Sequence, residues 1–124
     1  MSASDENWQS ESGPLNVTLN GNTEAALFMA GRIITDLREL KPEAWIDWQV
    51  YDTAANWTSF NINATQQSAT PVKRFYMHAA FSRFIRPGAT FVNIDNANMV
   101  AALAGDGTSL TVVVRNGEVI YQAG

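Results

Sequence analysis

Hydrophobic positions fall along this chain in three rhythms. Between Thr23 and Leu40, residues Leu27, Ala30, Ile34 and Leu37 recur at three- and four-residue steps. Ile33 and Leu40 widen that stripe, and Arg32, Asp36 and Glu39 fall mostly on the other side. This spacing predicts an amphipathic helix. Asn22 or Thr23 can cap it, Glu24 sits favourably in its first turn, and Lys41-Pro42 stops it. From Glu43 to Tyr51 the pattern becomes a nearly continuous apolar and aromatic run, as in a strand of a parallel sheet covered on both faces. Thr70-Pro71 then opens a second helix running to about Ile85, with proline at its first position. Phe75, Tyr76, Met77, Ala80, Phe81, Phe84 and Ile85 lie on more than one of its sides, so deep packing is expected, and Arg86-Pro87-Gly88 ends it.

The third is a series of short strands separated by turns. Ala89 to Ile94 and Met99 to Ala104 read as strands separated from the next by the turn Gly105-Asp106-Gly107. Leu110 to Arg115 is expected to pair with Glu118 to Gln122 across Asn116-Gly117, a hairpin signal. Ahead of the first helix, a short strand is expected from Asn7 to Glu11, followed by a loop from Ser12 to Asn22. Asp52 to Thr70 reads as a long polar loop, a feature that in compact domains is usually functional or disordered. The order strand, helix, strand, helix, then antiparallel strands implies two βα units of a parallel sheet followed by a small β-sandwich or accessory sheet.

Composition narrows the function classes. The 124 residues suit one modest core, and an apolar fraction of 46% belongs to a globular chain. A net charge of −4 argues against nucleic-acid and anionic-membrane partners, which require a basic patch. The chain has no cysteine, so disulfides and thiolate metal sites are excluded. With His78 as the single histidine, a His-rich zinc site is excluded too. No apolar run approaches the ~18 residues of a membrane span. The first residues lack the charged and apolar regions of a signal peptide. Asn16, Asn56 and Asn63 begin Asn-x-Ser/Thr sequons, which could carry glycans in a secreted eukaryotic protein or be chance in an Asn- and Thr-rich stretch.

Candidate chemistry gathers at the ends of the two expected parallel strands, where α/β barrels carry their catalytic groups. Glu11 ends the first, and Trp48, Gln49, Tyr51 and Asp52 end the second. A carboxylate beside a large aromatic suits a sugar site: the carboxylate stabilises or attacks an oxocarbenium-like centre, and the ring covers the apolar face of the sugar. Trp45 reads as core, and Asp47 as hydrogen-bonded structure facing away from Trp48, since strand neighbours alternate. His78 reads as a core histidine. Arg83 and Arg86 read as structural, pairing with carboxylates or capping helix-end carbonyls.

Three strings carry a resemblance to glycoside hydrolase family 30, of the glucosylceramidase and endo-β-1,6-galactanase type. Trp8-Gln9-Ser10-Glu11-Ser12-Gly13-Pro14 resembles the family's nucleophile strand. Ala44-Trp45-Ile46-Asp47-Trp48-Gln49 resembles the eighth barrel strand. Arg74 to Gly88, above all Phe81-Ser82-Arg83-Phe84-Ile85-Arg86-Pro87-Gly88, is similar to the last barrel helix and its exit into a β-sandwich. The resemblance implies the last two βα units of a (β/α)8 barrel over residues 1–88 and part of a C-terminal β-sandwich over 89–124.

By that resemblance Glu11 is the nucleophile of a retaining β-glycosidase. Trp48 stacks on the sugar, and Tyr51 and Trp57 are further substrate contacts. The substrate is a β-linked galactan, glucan or glycoside, no cofactor is implied, and the location is extracellular. The family's acid/base glutamate belongs to the fourth barrel strand, and a whole barrel takes at least ~200 residues. The chain is therefore expected to lack the proton donor, to be inactive alone, and to self-associate through exposed strand edges. The competing expectation is a non-catalytic carbohydrate-binding or assembly module built on the C-terminal strands.

Overall fold

The computed structural model describes residues 8–9, 22–53 and 58–116. Among the described residues, two helices and eight short strands form a small α/β unit whose core lies between the helices and an antiparallel sheet. The first strand, β1 (Trp8–Gln9), pairs in parallel with β2 (Ala44–Trp45), in the register Trp8 to Ala44 and Gln9 to Trp45. Between them runs α1 (Asn22–Glu39), the expected helix within a residue at each end. Strand, helix and parallel strand thus follow the order read from the sequence.

The buried stripe of α1 consists of Ala25, Ala26, Met29, Ala30, Ile33 and Ile34, with Leu37 half-buried beyond them. Pairs of adjacent residues recur every four positions, one helical turn apart. Asp36 departs from expectation. Read as solvent-facing, it is buried, and its Oδ2 accepts a hydrogen bond from the Trp45 indole at 3.0 Å. The helix closes through Leu40 and Lys41, whose amides donate to the Asp36 carbonyl, with Lys41 in the left-handed region at φ 47°. Arg38 ties this end of α1 to the C-terminal sheet: its Nη1 donates to the carbonyls of Ile94, Asn96 and Met99 at 2.8, 3.0 and 3.3 Å.

The single strand expected from Glu43 to Tyr51 is two short ones. β2 ends at Trp45, and β3 (Tyr51–Asp52) begins a separate sheet. The Trp48–Gln49 peptide between them is cis. Backbone acceptors here are taken by groups from elsewhere. The Trp48 carbonyl accepts from Arg74, and those of Gln49 and Val50 accept from Ser59, with Val50 also accepting from Phe60. Those bonds replace a strand ladder.

The expected loop from Asp52 to Thr70 contains a hairpin instead. β4 (Phe60–Asn63) pairs in parallel with β3 and antiparallel with β5 (Ser68–Pro71). Residues 64–67 turn without glycine or proline, and Gln67 takes the left-handed conformation at φ 48°. Asn63 Oδ1 steadies the turn by accepting from the Gln66 amide at 3.0 Å. Pro71 belongs to β5, an edge strand where its missing N–H is tolerated.

The second helix, α2 (Lys73–Ser82), therefore begins two residues after Pro71 and ends earlier than expected. Arg86 caps it by donating from Nη1 to the Ser82 carbonyl at 2.8 Å, while Arg83 lies 5.6 Å from the Phe84 ring centroid. The deep packing expected of α2 is not found. Phe81 and Arg74 are buried, but Tyr76 and Phe84 are exposed, because one face meets α1 and another stays open.

The C-terminal strands β6 (Thr90–Val92), β7 (Met99–Leu103) and β8 (Leu110–Val114) form an antiparallel meander. Its inner face sends Phe91, Val100 and Val113 onto Met29, Ala30, Ile33, Ile34 and Phe81. Val92, Leu103, Leu110, Val112 and Val114 stand exposed on the other face. The β7–β8 turn uses Gly107 at φ 71°, and Asp106 Oδ1 accepts from the Thr108 amide and hydroxyl at 3.0 and 2.8 Å. Those two bonds hold the Asp106 carboxyl below its ordinary range. The expected partner strand from Glu118 to Gln122 lies outside the described residues.

Candidate functional site

The segment after β2 splits its side chains between two sides. Trp45, Asp47 and Gln49 are at least half-buried, while Ile46, Trp48 and Val50 are exposed. Asp47 is thereby held on the packed side while Trp48 is left open to solvent. Trp48 is 58% exposed and Tyr51 is 61% exposed, so both aromatics are presented to solvent. Large aromatics left this open are unusual among core-forming residues and suit a ring-binding surface.

Asp47 meets Arg74, a residue with no role in the sequence reading. Arg74 is 1% exposed and forms an ion pair with Asp47, whose side chain is 8% exposed. Nη2 donates to Asp47 Oδ1, and Nε donates to Oδ2 at 3.3 Å. Nη2 also donates to the Trp48 carbonyl at 3.1 Å. The planar guanidinium fits this task because it grips both carboxylate oxygens in one plane and keeps a donor for the carbonyl. A buried aspartate on an apolar strand was the signal that a cation must come from elsewhere in the fold. The sequence could not say which one.

Further along, the Gln49 amide donates to Asp52 Oδ2 at 3.0 Å. Asp52 Oδ1 accepts from the Thr53 amide at 2.6 Å and from its hydroxyl at 3.3 Å. Asp52 is thus engaged in holding the strand end. Thr58 is wholly buried, with its hydroxyl 3.4 Å from Asn61 Oδ1. Phe60 and Phe75 pack with centroids 4.9 Å apart, and Phe75 meets Tyr76 edge-on at 5.3 Å.

His78 is half-buried on α2, edge-on to Trp45 with centroids 5.8 Å apart. Burial pushes its imidazole below the ordinary 6.5; the nearby Asp47 opposes that shift and Arg74 adds to it. A cleft of about 220 Å³ lies here, lined by Trp45, Asp47, Gln49, Ser59 and His78 among others. A larger one, about 680 Å³, lies between the end of α1 and β6, and neither Trp48 nor Tyr51 lines it.

Glu11 and Trp57 lie outside the described residues, as do the sequons at Asn16 and Asn56. Asn63 is exposed at the end of β4. Among the described residues, no group of three or more His, Asp and Glu side chains is placed to hold a metal ion. No helix among them is long and apolar enough to cross a membrane.

The architecture is matched among solved structures. One is a conserved exported protein from Bacteroides fragilis, with a TM-score of 0.69, 18% identity and 83% of this chain covered. Another is the catalytic domain of GH30 xylanase C from Talaromyces cellulolyticus, with a TM-score of 0.66, 20% identity and 86% covered. The chain shares a fold with part of each. It spans about a quarter of their length, 26% of the first and 27% of the second. At these identities the likeness concerns fold alone. No protein-family profile matches the chain, and no curated protein sequence does.

Proposed function

We propose that this chain is a C-terminal portion of a retaining family 30 β-glycoside hydrolase. In this reading residues 1–88 supply the last two βα units of the barrel, and residues 89–124 begin the sandwich. The observation that carries it is the exposed Trp48 three residues beyond the parallel strand β2, in a fold shared with part of a GH30 xylanase catalytic domain. The motifs around Glu11, Trp48 and Phe81 to Gly88 point the same way.

The chemistry is a double displacement. The Glu11 carboxylate attacks the anomeric carbon as the bond to the leaving oxygen breaks. A second carboxyl, on a barrel strand earlier in the family's order, gives that oxygen its proton. Water then attacks the glycosyl-enzyme, the second carboxylate takes the water's proton, and Glu11 is released. The two carboxyls stand about 5–5.5 Å apart in such enzymes. Trp48 covers one face of the sugar, with Tyr51 and Trp57 as flanking contacts. The substrate is a β-linked polysaccharide or glycoside, no cofactor takes part, and the protein acts outside the cell.

The test uses a substrate whose leaving group needs no proton. Dinitrophenyl 2-deoxy-2-fluoro β-glycosides of galactose, glucose and xylose should label the peptide containing Glu11, detected as a mass increase absent from Glu11→Gln. No label with any of the three, or label on another residue, overturns the nucleophile assignment.

The outer face of the β6–β8 sheet favours a second reading, in assembly. Its five exposed aliphatic residues carry no aromatic platform, so it suits protein packing better than sugar. Oligosaccharide binding that survives Trp48→Ala but is lost on altering β8 would favour the carbohydrate-binding module instead.

A further inference from the structure

We infer that Arg74 is a positioning residue for the Trp48 sugar platform, an inference that rests on the reading of Trp48 given above. Arg74 comes from α2, far along the chain from Trp48, and is almost wholly buried. Its guanidinium grips Asp47 through Nε and Nη2, and Nη2 turns its remaining hydrogen to the Trp48 carbonyl. Two consecutive residues are therefore fixed from one side. The fixed groups face α2, while the Trp48 ring itself is 58% exposed. Exposure removes the packing that would otherwise hold the ring. β2 has ended three residues earlier and β3 has not begun, so no strand ladder holds the segment. Backbone bonds from Ser59 and Phe60 hold Gln49 and Val50 beyond it, and Arg74 is the side chain bonded to the Trp48 carbonyl itself. A sugar-stacking surface needs such support, because a loosely held ring pays ordering entropy when the ligand arrives.

The test is made on the whole chain with two variants. In Asp47→Leu/Arg74→Met an apolar pair replaces the ion pair, so packing is kept while the hold on the Trp48 carbonyl is lost. In Arg74→Lys the charge stays but the planar fork goes. The first measurement is 15N relaxation at the Trp48 amide. The wild-type order parameter is expected near about 0.85, falling below about 0.6 in the double variant, with Arg74→Lys between. The second is an NMR titration with methyl β-xyloside, methyl β-galactoside and methyl β-glucoside, where the double variant should weaken binding about tenfold. Unchanged order at Trp48 in both variants overturns the inference, and so does lowered order with unchanged affinity. If the double variant fails to unfold cooperatively, Arg74→Lys decides by the same two readings. Wild-type binding of none of the three sugars, or binding unaffected by Trp48→Ala, overturns the platform reading itself. The two failures are therefore distinguishable.

Discussion

The contact between α1 and the β6–β8 sheet and the segment from Ile46 to Thr53 are held by opposite means. The first is aliphatic: Met29, Ile33, Ile34, Phe81 and Val100 are buried against one another, and the backbone bonds run within regular elements. The second has little core. Arg74, Gln49, Asp52 and the amides of Ser59 and Phe60 hold it, while its large side chains face solvent. Hydrophobic burial is non-directional and stabilises many arrangements of similar volume. A charge-assisted fork fixes one geometry. The molecule thus places its non-directional packing in one region and its most specific geometry in the other.

Breaking the polar hold at its centre should have the largest effect. Arg74→Ala leaves Asp47 buried and unpaired and should cost about 3–5 kcal/mol in urea unfolding, whereas Asp47→Leu/Arg74→Met should be nearly neutral. Equal losses in both variants would mean that the segment is held by packing after all. Ile34→Ala, at a position with no exposure, should cost about 2–5 kcal/mol. That loss should leave the order at Trp48 unchanged, which separates the two regions.

Asp36→Ala should cost about 1–3 kcal/mol, because it leaves the Trp45 indole N–H without its acceptor beside the core. A smaller, pH-dependent effect is expected at His78. Its folded pKa lies below the ordinary 6.5, so the unfolded chain binds the proton more readily. Its contribution is complete above about 6.5 and is lost as pH falls through the folded value. Urea midpoints should drop between about pH 7.5 and about pH 5.5, and less so in His78→Gln. Trp48→Ala should change stability by no more than about 0.5 kcal/mol while removing sugar binding. A large stability loss there would return Trp48 to the core.

Self-association provides a check on the open faces. Val92, Leu103, Leu110, Val112 and Val114 on the sheet, with Tyr76 on α2, leave apolar surface uncovered. Size-exclusion chromatography should find the isolated chain in assemblies larger than a monomer.

The α1 helix was legible because eighteen residues of periodic pattern outweigh local exceptions. The β6–β8 strands were legible as short apolar runs set off by Arg86-Pro87-Gly88 and Gly105-Asp106-Gly107. The β4–β5 hairpin was missed although Phe60-Asn61-Ile62-Asn63 alternates, because its turn carries none of the glycine or proline that usually marks one. Pro71 suits a helix's first turn by its sequence, but an edge strand satisfies its missing N–H equally well. Asp36 was misplaced because its partner, the Trp45 indole, belongs to another element.

By itself the sequence determined the opening order of strand, helix and parallel strand, the face that α1 buries, and the C-terminal run of strands. Each follows from local pattern and turn signals, which neighbouring residues fix between them. Only the tertiary structure decided that the Glu43–Tyr51 run breaks in two, that Asp36 is buried, and that Arg74 grips Asp47 and the Trp48 carbonyl. Those outcomes depend on which donor from a distant element reaches a buried acceptor, and local pattern does not encode distance.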